Sequence, residues 1–98
     1  MSLQIDPEEI ETRHLHDFAA LAGARVLEIG CGDARLTWRY AHATQRVIGV
    51  DVNLTRLLEA CQSTSAELAA KVSFLAADAV FLPFPRAAFD DVILAWSL

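Results

Sequence analysis

The stretch VLEIGCGDA, Val26 through Ala34, constrains the fold of this chain more than any other. Its first residues form a short apolar run of the kind found in a buried strand, and the run ends in a turn that contains Gly30 and Gly32. Glycine allows the backbone to adopt left-handed angles and to approach a ligand closely. A buried strand that passes through such a turn into a helix is typical of a βαβ unit, which builds parallel sheets.

Three further apolar runs have the length of buried strands, and segments with helical spacing separate them. The predicted strands span residues 25–29, 46–50, 72–75 and 91–95, and the predicted helices span residues 6–23, about 34–42, and 54 to about 63 with Asn53 as the cap. The strands are too uniformly apolar to face water on one side, so helices must cover both faces of the sheet. With right-handed crossovers, this order predicts a Rossmann-like, doubly wound parallel sheet of the α/β class.

The chain divides into two expected segments, a helical one over residues 1–24 and a sheet-forming one over residues 25–98. The fourth predicted strand lies directly before Leu98, at a point where a doubly wound sheet normally continues. We therefore expect this sequence to be the N-terminal portion, a fragment, of a larger domain. In the isolated piece, the fourth strand is expected to be an exposed edge through which copies self-associate.

Composition excludes several classes of function. The chain is 54% hydrophobic and 21% charged, as in a globular protein, and its net charge of −5 with scattered Lys and Arg does not indicate nucleic-acid binding. No apolar run approaches the ~20 residues of a membrane span, and no signal peptide is recognisable. Cys31 and Cys61 lie too far apart for a local metal site, and the histidines do not group, so no metal is expected. A reduced, cytoplasmic setting is the expectation.

The charge within the glycine turn bears on the ligand that the turn accepts. Dinucleotide-binding turns place pyrophosphate at a G-x-G-x-x-G pattern, but here Arg35 stands where the third glycine would be. A carboxylate at Glu28 would repel pyrophosphate, whereas it would favour a cationic ligand. The alternative interpretation is a solvated or helix-end acid, which within a buried strand would have to be paired.

Four stretches in order, VLEIGCGDA, VIGVDVN, FLAADAVFLPF and FDDVILAWSL, resemble the class I, Rossmann-like S-adenosylmethionine-dependent methyltransferases, and most of all their small-molecule branch. The resemblance covers residues 26–97. It implies that the four strands are the first of a seven-stranded sheet and lie in the order 3-2-1-4. It also implies S-adenosyl-L-methionine as the cofactor and a small-molecule methyl acceptor as the partner.

The resemblance assigns the methionyl end of the cofactor to the first and fourth strands. Gly30, Cys31 and Gly32 would present their backbone to the methionyl portion, and Glu28 would bear on its ammonium group, directly or through water. Cys31 is expected to be a small packing residue and not a nucleophile. Ala95 and Trp96 would lie below the methionine and open toward the acceptor.

The adenosine end falls to the second and third strands. Asp51 follows the glycine turn by roughly 20 residues, the separation of a ribose-binding acid, although capping of the next helix is an alternative role. Val52 would pack on the adenine face, and Asp78 would accept a hydrogen bond from the adenine amino group. Ala79 would offer its backbone N–H to the ring, and Phe81 would help to wall the pocket.

Other functions stay open at this point. A nicotinamide- or flavin-binding Rossmann oxidoreductase and a non-catalytic methyltransferase-like binding module share the same fold. Asp90 and Asp91 precede the fourth strand, away from the carboxyl ends where open α/β sheets bind ligands, so they are expected to be structural. No general base and no other catalytic residue can be identified from the sequence.

Overall fold

The structure, a computed structural model, describes residues 3–4, 18–78 and 81–95. Its strands and helices are β1 Leu3–Gln4, β2 Arg25–Ile29, α1 Thr37–Tyr40, β3 Arg46–Asp51, α2 Leu54–Ser63, β4 Val72–Ala76, β5 Phe81–Leu82 and β6 Asp91–Leu94. Three short 3₁₀ turns complete the set, at Phe18–Leu21, Ala41–Ala43 and Arg86–Ala88.

The four longer strands form one parallel sheet in the order β4-β3-β2-β6. These are the four strands that the sequence predicts, and their order confirms the predicted 3-2-1-4 arrangement. In register, Ile29 lies opposite Val50 of β3 and opposite Leu94 of β6, so the carboxyl ends of neighbouring strands meet at one edge. The chain runs outward from β2 through β3 to β4 and then returns to the other side of β2, which creates a switch point at β2.

Strand β2 buries both of its faces, which explains why its residues after Arg25 are apolar apart from Glu28. Val26 packs on the α1 side of the sheet with Tyr40, Val47 and Ile93. Leu27 and Ile29 pack on the opposite side, in a second apolar cluster that includes Leu82. A strand covered on both faces has no exposed face for polar residues, as the sequence pattern predicted.

Helix α2 begins where the sequence places it. The Asn53 side chain accepts a hydrogen bond from the Arg56 N–H at 3.1 Å, which satisfies one of the free donors of the first turn. Leu57 and Ala60 face the sheet and are buried. The Thr64 hydroxyl donates to the Ala60 carbonyl at 2.9 Å, directly after the helix ends at Ser63.

The second predicted helix is shorter than expected. The prediction began it near Ala34, but the α-helix spans only Thr37–Tyr40, followed by the 3₁₀ turn Ala41–Ala43. Ala34 has a φ of 69°, in the left-handed region, which a right-handed helix cannot include. The glycine turn therefore extends through Ala34, and the helix can begin only after it.

The N-terminal segment also differs from the prediction. The predicted helix over residues 6–23 falls largely on residues outside the described part, and its end, Phe18–Leu21, is a 3₁₀ turn. Gly23, at a φ of 71°, ends it as predicted. Strand β1 pairs antiparallel with β5, an association that the sequence did not predict.

Candidate functional site

A cavity of about 480 Å³ opens at the carboxyl-terminal edge of the sheet. This volume lies in the usual range of small-molecule sites, and the position is where open α/β sheets bind ligands. The cavity is lined by Ile29, Gly30, Val50, Asp51, Val52, Arg56, Ala77 and Ala95. Four of the predicted site residues therefore line the cavity together, namely Gly30, Asp51, Val52 and Ala95.

The glycine turn forms one side of this cavity. Gly30 and Gly32 have φ angles of 79° and 55°, left-handed values that other residues adopt only with strain. The N–H groups of Gly30 and Cys31 both donate to the Val50 carbonyl, at 2.7 and 3.2 Å, which holds the turn against β3. A Cβ atom at Gly32 would lie only 3.1 Å from Cζ of Arg56, so the absent side chain also leaves room for that guanidinium.

Asp51 joins the turn to the start of α2. Its Oδ2 accepts the Gly32 N–H at 2.9 Å, and its Oδ1 accepts the Asn53 N–H at 2.9 Å. Each carboxylate oxygen keeps a further lone pair, so Asp51 can still accept hydroxyl groups of a ligand. The helix cap itself is Asn53, and Asp51 lines the cavity.

Glu28 does not lie in the cavity wall, which corrects the expectation of a ligand-facing carboxylate. Its side chain is fully buried on the α1 side of the sheet, where Oε1 accepts hydrogen bonds from the Thr37 hydroxyl at 3.0 Å and from the Tyr40 hydroxyl. Oε2 has no hydrogen-bond partner among the described residues. Burial raises the pKa of the Glu28 carboxyl to about 7, and the hydrogen bonds from Tyr40 and Thr37 oppose part of that rise.

The Cys31 side chain is a packing group. It is buried beneath the turn, and its Sγ lies 2.9 Å from the position that a Cβ atom at Gly49 would occupy. Burial, followed by the neighbouring charge of Glu28, raises the pKa of the Cys31 thiol to about 12. The thiol therefore stays protonated at neutral pH, as a non-nucleophilic cysteine does.

Of the residues predicted to contact adenine, only some line the cavity in the described part of the chain. Val52 lines the cavity with 75% of its surface exposed, so its side chain is free to pack against a ligand. Asp78 is exposed and is not among the lining residues. Phe81 lies in β5, and the predictions for Ala79 and Trp96 concern residues outside the described part.

Sequence reasoning missed Arg56, which brings a positive charge to the cavity. Its Nη2 lies 3.5 Å from Oδ2 of Asp33, and half of its side chain is exposed. Its position three residues after the helix cap Asn53 was a usable signal, because the first turn of a helix that follows a strand faces the carboxyl-terminal edge. Ile29, Val50 and Ala77 were also missed as lining residues, since nothing distinguishes them from core residues in the sequence.

Asp90 lies at the opposite edge of the sheet and is structural, as predicted. It accepts the Arg25 backbone N–H at 2.8 Å and forms two hydrogen bonds with the guanidinium, at 3.2 and 2.9 Å. These hydrogen bonds lower the pKa of Asp90 to about 2. Asp91 pairs in register with Val26, at the beginning of β2 and far from the cavity.

Two features are absent from the described residues. No group of three or more potential metal ligands occurs among them. None of the helices in the same residues combines the length and apolar character needed to cross a bilayer.

Comparisons with known proteins agree with the fold. A family described as a methyltransferase domain matches residues 26–98. The 27-O-demethylrifamycin SV methyltransferase of Amycolatopsis mediterranei (strain S699) is 35% identical over 97 residues, which covers 93% of this chain and 35% of that protein.

Solved structures of related proteins share the fold of this chain. The [4+2]-cyclase SpnF superposes with a TM-score of 0.69 at 27% identity, covering 80% of this chain and 31% of the cyclase. The N-methyltransferase NodS from Bradyrhizobium japonicum WM9, in complex with S-adenosyl-L-homocysteine, superposes with a TM-score of 0.63 at 28% identity, covering 80% of this chain and 39% of NodS.

The chain spans about a third of the length of these proteins. The match nevertheless includes all four parallel strands, the glycine turn and Asp51. This chain belongs to the class I, Rossmann-like family of S-adenosylmethionine-dependent methyltransferases.

Proposed function

We propose that the protein carrying this chain transfers a methyl group from S-adenosyl-L-methionine to a small-molecule acceptor, and that residues 25–98 hold the cofactor. The observation that carries the proposal is the junction of Gly32 and Asp51, which are joined by a 2.9 Å hydrogen bond at the edge of the cavity. A carboxylate fixed by a backbone N–H of the glycine turn suits the two hydroxyl groups of a ribose.

The cavity residues fit the other parts of the cofactor as well. The backbone at Gly30 and Gly32 would meet the methionyl portion, with Ala95 below it. Val52 would pack on the adenine face. The lining carries no cluster of cations for a pyrophosphate, since Arg56 is its sole positive side chain among the described residues and is paired with Asp33.

Assignments at the rim of the pocket rest on the family resemblance. Asp78 would accept a hydrogen bond from the adenine amino group, and Ala79 would donate its backbone N–H to the ring. Phe81 would add an apolar wall, and Trp96 would lie beside the methyl group where the acceptor approaches.

The cofactor supplies the reaction with a methyl group on a sulfonium, which is already a good leaving group. The residues of this chain hold the cofactor in one orientation and exclude water from its apolar parts. Positioning of two reactants in near-attack geometry supplies ~7–11 kcal/mol in favourable cases. A general base is required only for acceptors that must lose a proton.

A small-molecule acceptor is favoured by two observations. The relative from Amycolatopsis mediterranei is named for a demethylrifamycin, a small molecule. The chain itself has a net charge of −5, which disfavours a polyanionic acceptor such as nucleic acid.

A second candidate function follows from the similarity to a cyclase. SpnF shares the fold of this chain at a TM-score of 0.69 and is named for a [4+2] cyclisation. A methyltransferase-like domain can therefore host a reaction other than methyl transfer. Binding of the cofactor without transfer of its methyl group would favour this second function.

The experiment is titration calorimetry on the longest natural polypeptide that contains this sequence. We expect S-adenosylmethionine and S-adenosylhomocysteine to bind, with affinities that a metal chelator leaves unchanged. Binding of NADH without binding of S-adenosylmethionine or S-adenosylhomocysteine would contradict the proposal. A radiolabelled methyl-transfer assay on a panel of small hydroxylated, amino and quinone compounds would then separate methyl transfer from cyclisation.

A further inference from the structure

Behind the glycine turn lies a buried polar cluster that the proposed function does not use. It consists of Glu28 on β2 and of Thr37 and Tyr40 on α1, and none of the three side chains has any exposed surface. Both hydroxyl groups donate to the same carboxylate oxygen, Oε1 of Glu28. Three polar side chains from two elements thus converge inside an otherwise apolar layer.

Stability alone does not account for this cluster. Burial of a carboxyl group costs free energy even when it is hydrogen-bonded, and apolar side chains of similar volume are often as stable or more so. In the sheet, Glu28 lies between Gly49 and Ile93, neither of which offers a polar side chain. The two hydrogen bonds to Glu28 nevertheless connect α1 directly to β2.

The position of α1 is linked to the cavity through a short hydrogen-bonded path. The Trp38 N–H donates to the Ala34 carbonyl at 3.1 Å, and the Ala34 N–H donates to the Cys31 carbonyl at 3.0 Å. The next residue of the turn, Gly32, donates its N–H to Asp51. A shift of α1 would thus move the turn relative to the carboxylate that lines the cavity.

We propose that Tyr40 and Thr37 are positioning residues for cofactor binding: their hydroxyl groups hold Glu28 behind the turn, and this junction sets the turn against Asp51. The inference rests on the proposed function, because it names what holds the cofactor-binding turn in place. Glu28 acts on binding through α1 and the turn, without touching the cofactor.

Two ligands separate this role from direct contact between Glu28 and the cofactor. S-adenosylhomocysteine carries an ammonium group, whereas 5′-methylthioadenosine keeps the adenosine and the thioether but lacks the aminoacyl portion. If Glu28 contacted the ammonium, disturbing the cluster would weaken only the first ligand. If the cluster positions the turn against Asp51, both ligands should bind more weakly, because both contain the ribose that Asp51 would hold.

The test uses Tyr40→Phe and Thr37→Val, each of which removes one hydroxyl group and keeps the shape of the side chain. The matched controls are Thr37→Ser, which keeps the hydroxyl group, and Thr64→Val, which removes a hydroxyl group that donates to the Ala60 carbonyl at the end of α2, away from the cluster. All are made in the longest natural polypeptide that contains this sequence. Calorimetry gives the affinity for both ligands, and thermal unfolding gives the stability of each variant.

We expect Tyr40→Phe and Thr37→Val each to weaken both ligands about fivefold, the loss typical of one hydrogen bond. Thr37→Ser should retain binding, and Thr64→Val should lower the unfolding temperature while leaving both affinities unchanged. If one of the two hydroxyl variants does not fold, the other still provides the comparison.

Three results would overturn the inference. Variants that lose stability but keep both affinities would make the cluster purely structural. A loss confined to S-adenosylhomocysteine would place Glu28 on the ammonium group. Failure of the unmodified protein to bind either ligand would refute the proposed function itself, and this result is visible before any variant is measured.

Discussion

At the scale of single residues, Glu28 makes the stability of the fold depend on pH. Burial raises the pKa of Glu28 from an ordinary 4.5 to about 7. Between these values the folded chain binds a proton that the unfolded chain releases, so the free energy of unfolding falls as pH rises through this window. We expect a decrease of as much as about 3 kcal/mol, which Glu28→Gln should abolish. Urea unfolding from pH 4.5 to 8 measures it.

Asp90 provides the control for this measurement. Its pKa lies at about 2 because Arg25 is hydrogen-bonded to it, so it is ionised throughout the same window. Asp90→Asn should therefore leave the slope between pH 4.5 and 7 unchanged. An unchanged slope in Glu28→Gln would show that Glu28 titrates normally in the folded chain.

Asp51 should be the residue whose loss weakens the cofactor most. We expect Asp51→Ala to reduce the free energy of S-adenosylhomocysteine binding by about 1.5–3 kcal/mol, the usual worth of hydrogen bonds to a charged group. The variant also removes the hydrogen-bond acceptor of the Gly32 N–H, which donates to Asp51 at 2.9 Å in the unmodified chain. Asp90→Ala, at the opposite edge, should bind normally, and calorimetry compares the two. A larger loss of affinity in Asp90→Ala would show that the cofactor binds at the edge of the sheet opposite the cavity.

How much of the site was predictable depends on the kind of signal that each residue carries. Asp51 was predictable because its distance from the glycine turn follows from βαβ geometry. The direction of Glu28 was not, since the helix register that brings Thr37 and Tyr40 onto one oxygen depends on where the turn releases the chain. The position of Arg56 in the first turn of α2 was a signal that sequence reasoning missed, whereas its contact over Gly32 leaves no pattern in the sequence.

At the scale of elements, β3 is sensitive to size at Gly49. A Cβ atom there would lie 2.9 Å from Cys31 Sγ and 2.9 Å from Cδ1 of Phe74. We expect Gly49→Ala to reduce the free energy of unfolding by about 1–3 kcal/mol, as overpacking in a core does. Adding Cys31→Ala should recover part of the loss, because it removes one of the two clashing atoms. Urea unfolding of the two variants measures both effects.

Gly23 is the matched control for Gly49. Its φ of 71° strains any other residue, but no atom lies within 4 Å of a Cβ placed on it. Among the described residues, Gly23→Ala should therefore meet no clash and cost only about 1–2 kcal/mol of backbone strain, which Cys31→Ala would not relieve. Rescue of both glycine variants by Cys31→Ala would contradict the packing explanation.

The elements themselves were predicted to different degrees. The four parallel strands were predicted within a residue at each end, because a strand buried on both faces is a bounded apolar run. Helix α1 was overextended, since the sequence does not reveal that Ala34 takes a left-handed angle. The β1–β5 pair could not be predicted, because two-residue strands have no periodicity and their pairing joins distant parts of the chain.

At the scale of the whole molecule, β6 is the strand through which we expect the isolated chain to associate. It pairs with β2 on one side, and no other described strand pairs with its second side. Its apolar residues Val92, Ile93 and Leu94 are each buried or half-buried, so charged side chains do not protect this edge at its centre. A parallel strand of this kind is a template for another copy of the chain.

We therefore expect the isolated 98-residue polypeptide to self-associate through β6, and a longer polypeptide that contains it to do so less. The isolated polypeptide should also transfer no methyl group, because Ala95 is the sole described lining residue beyond β6 on the side where an acceptor would approach. Sedimentation velocity over a wide concentration range measures association, and a methyl-transfer assay measures activity. A monomeric 98-residue polypeptide would show that the β6 edge is protected, and methyl transfer by it would show that the acceptor needs no residues beyond this chain.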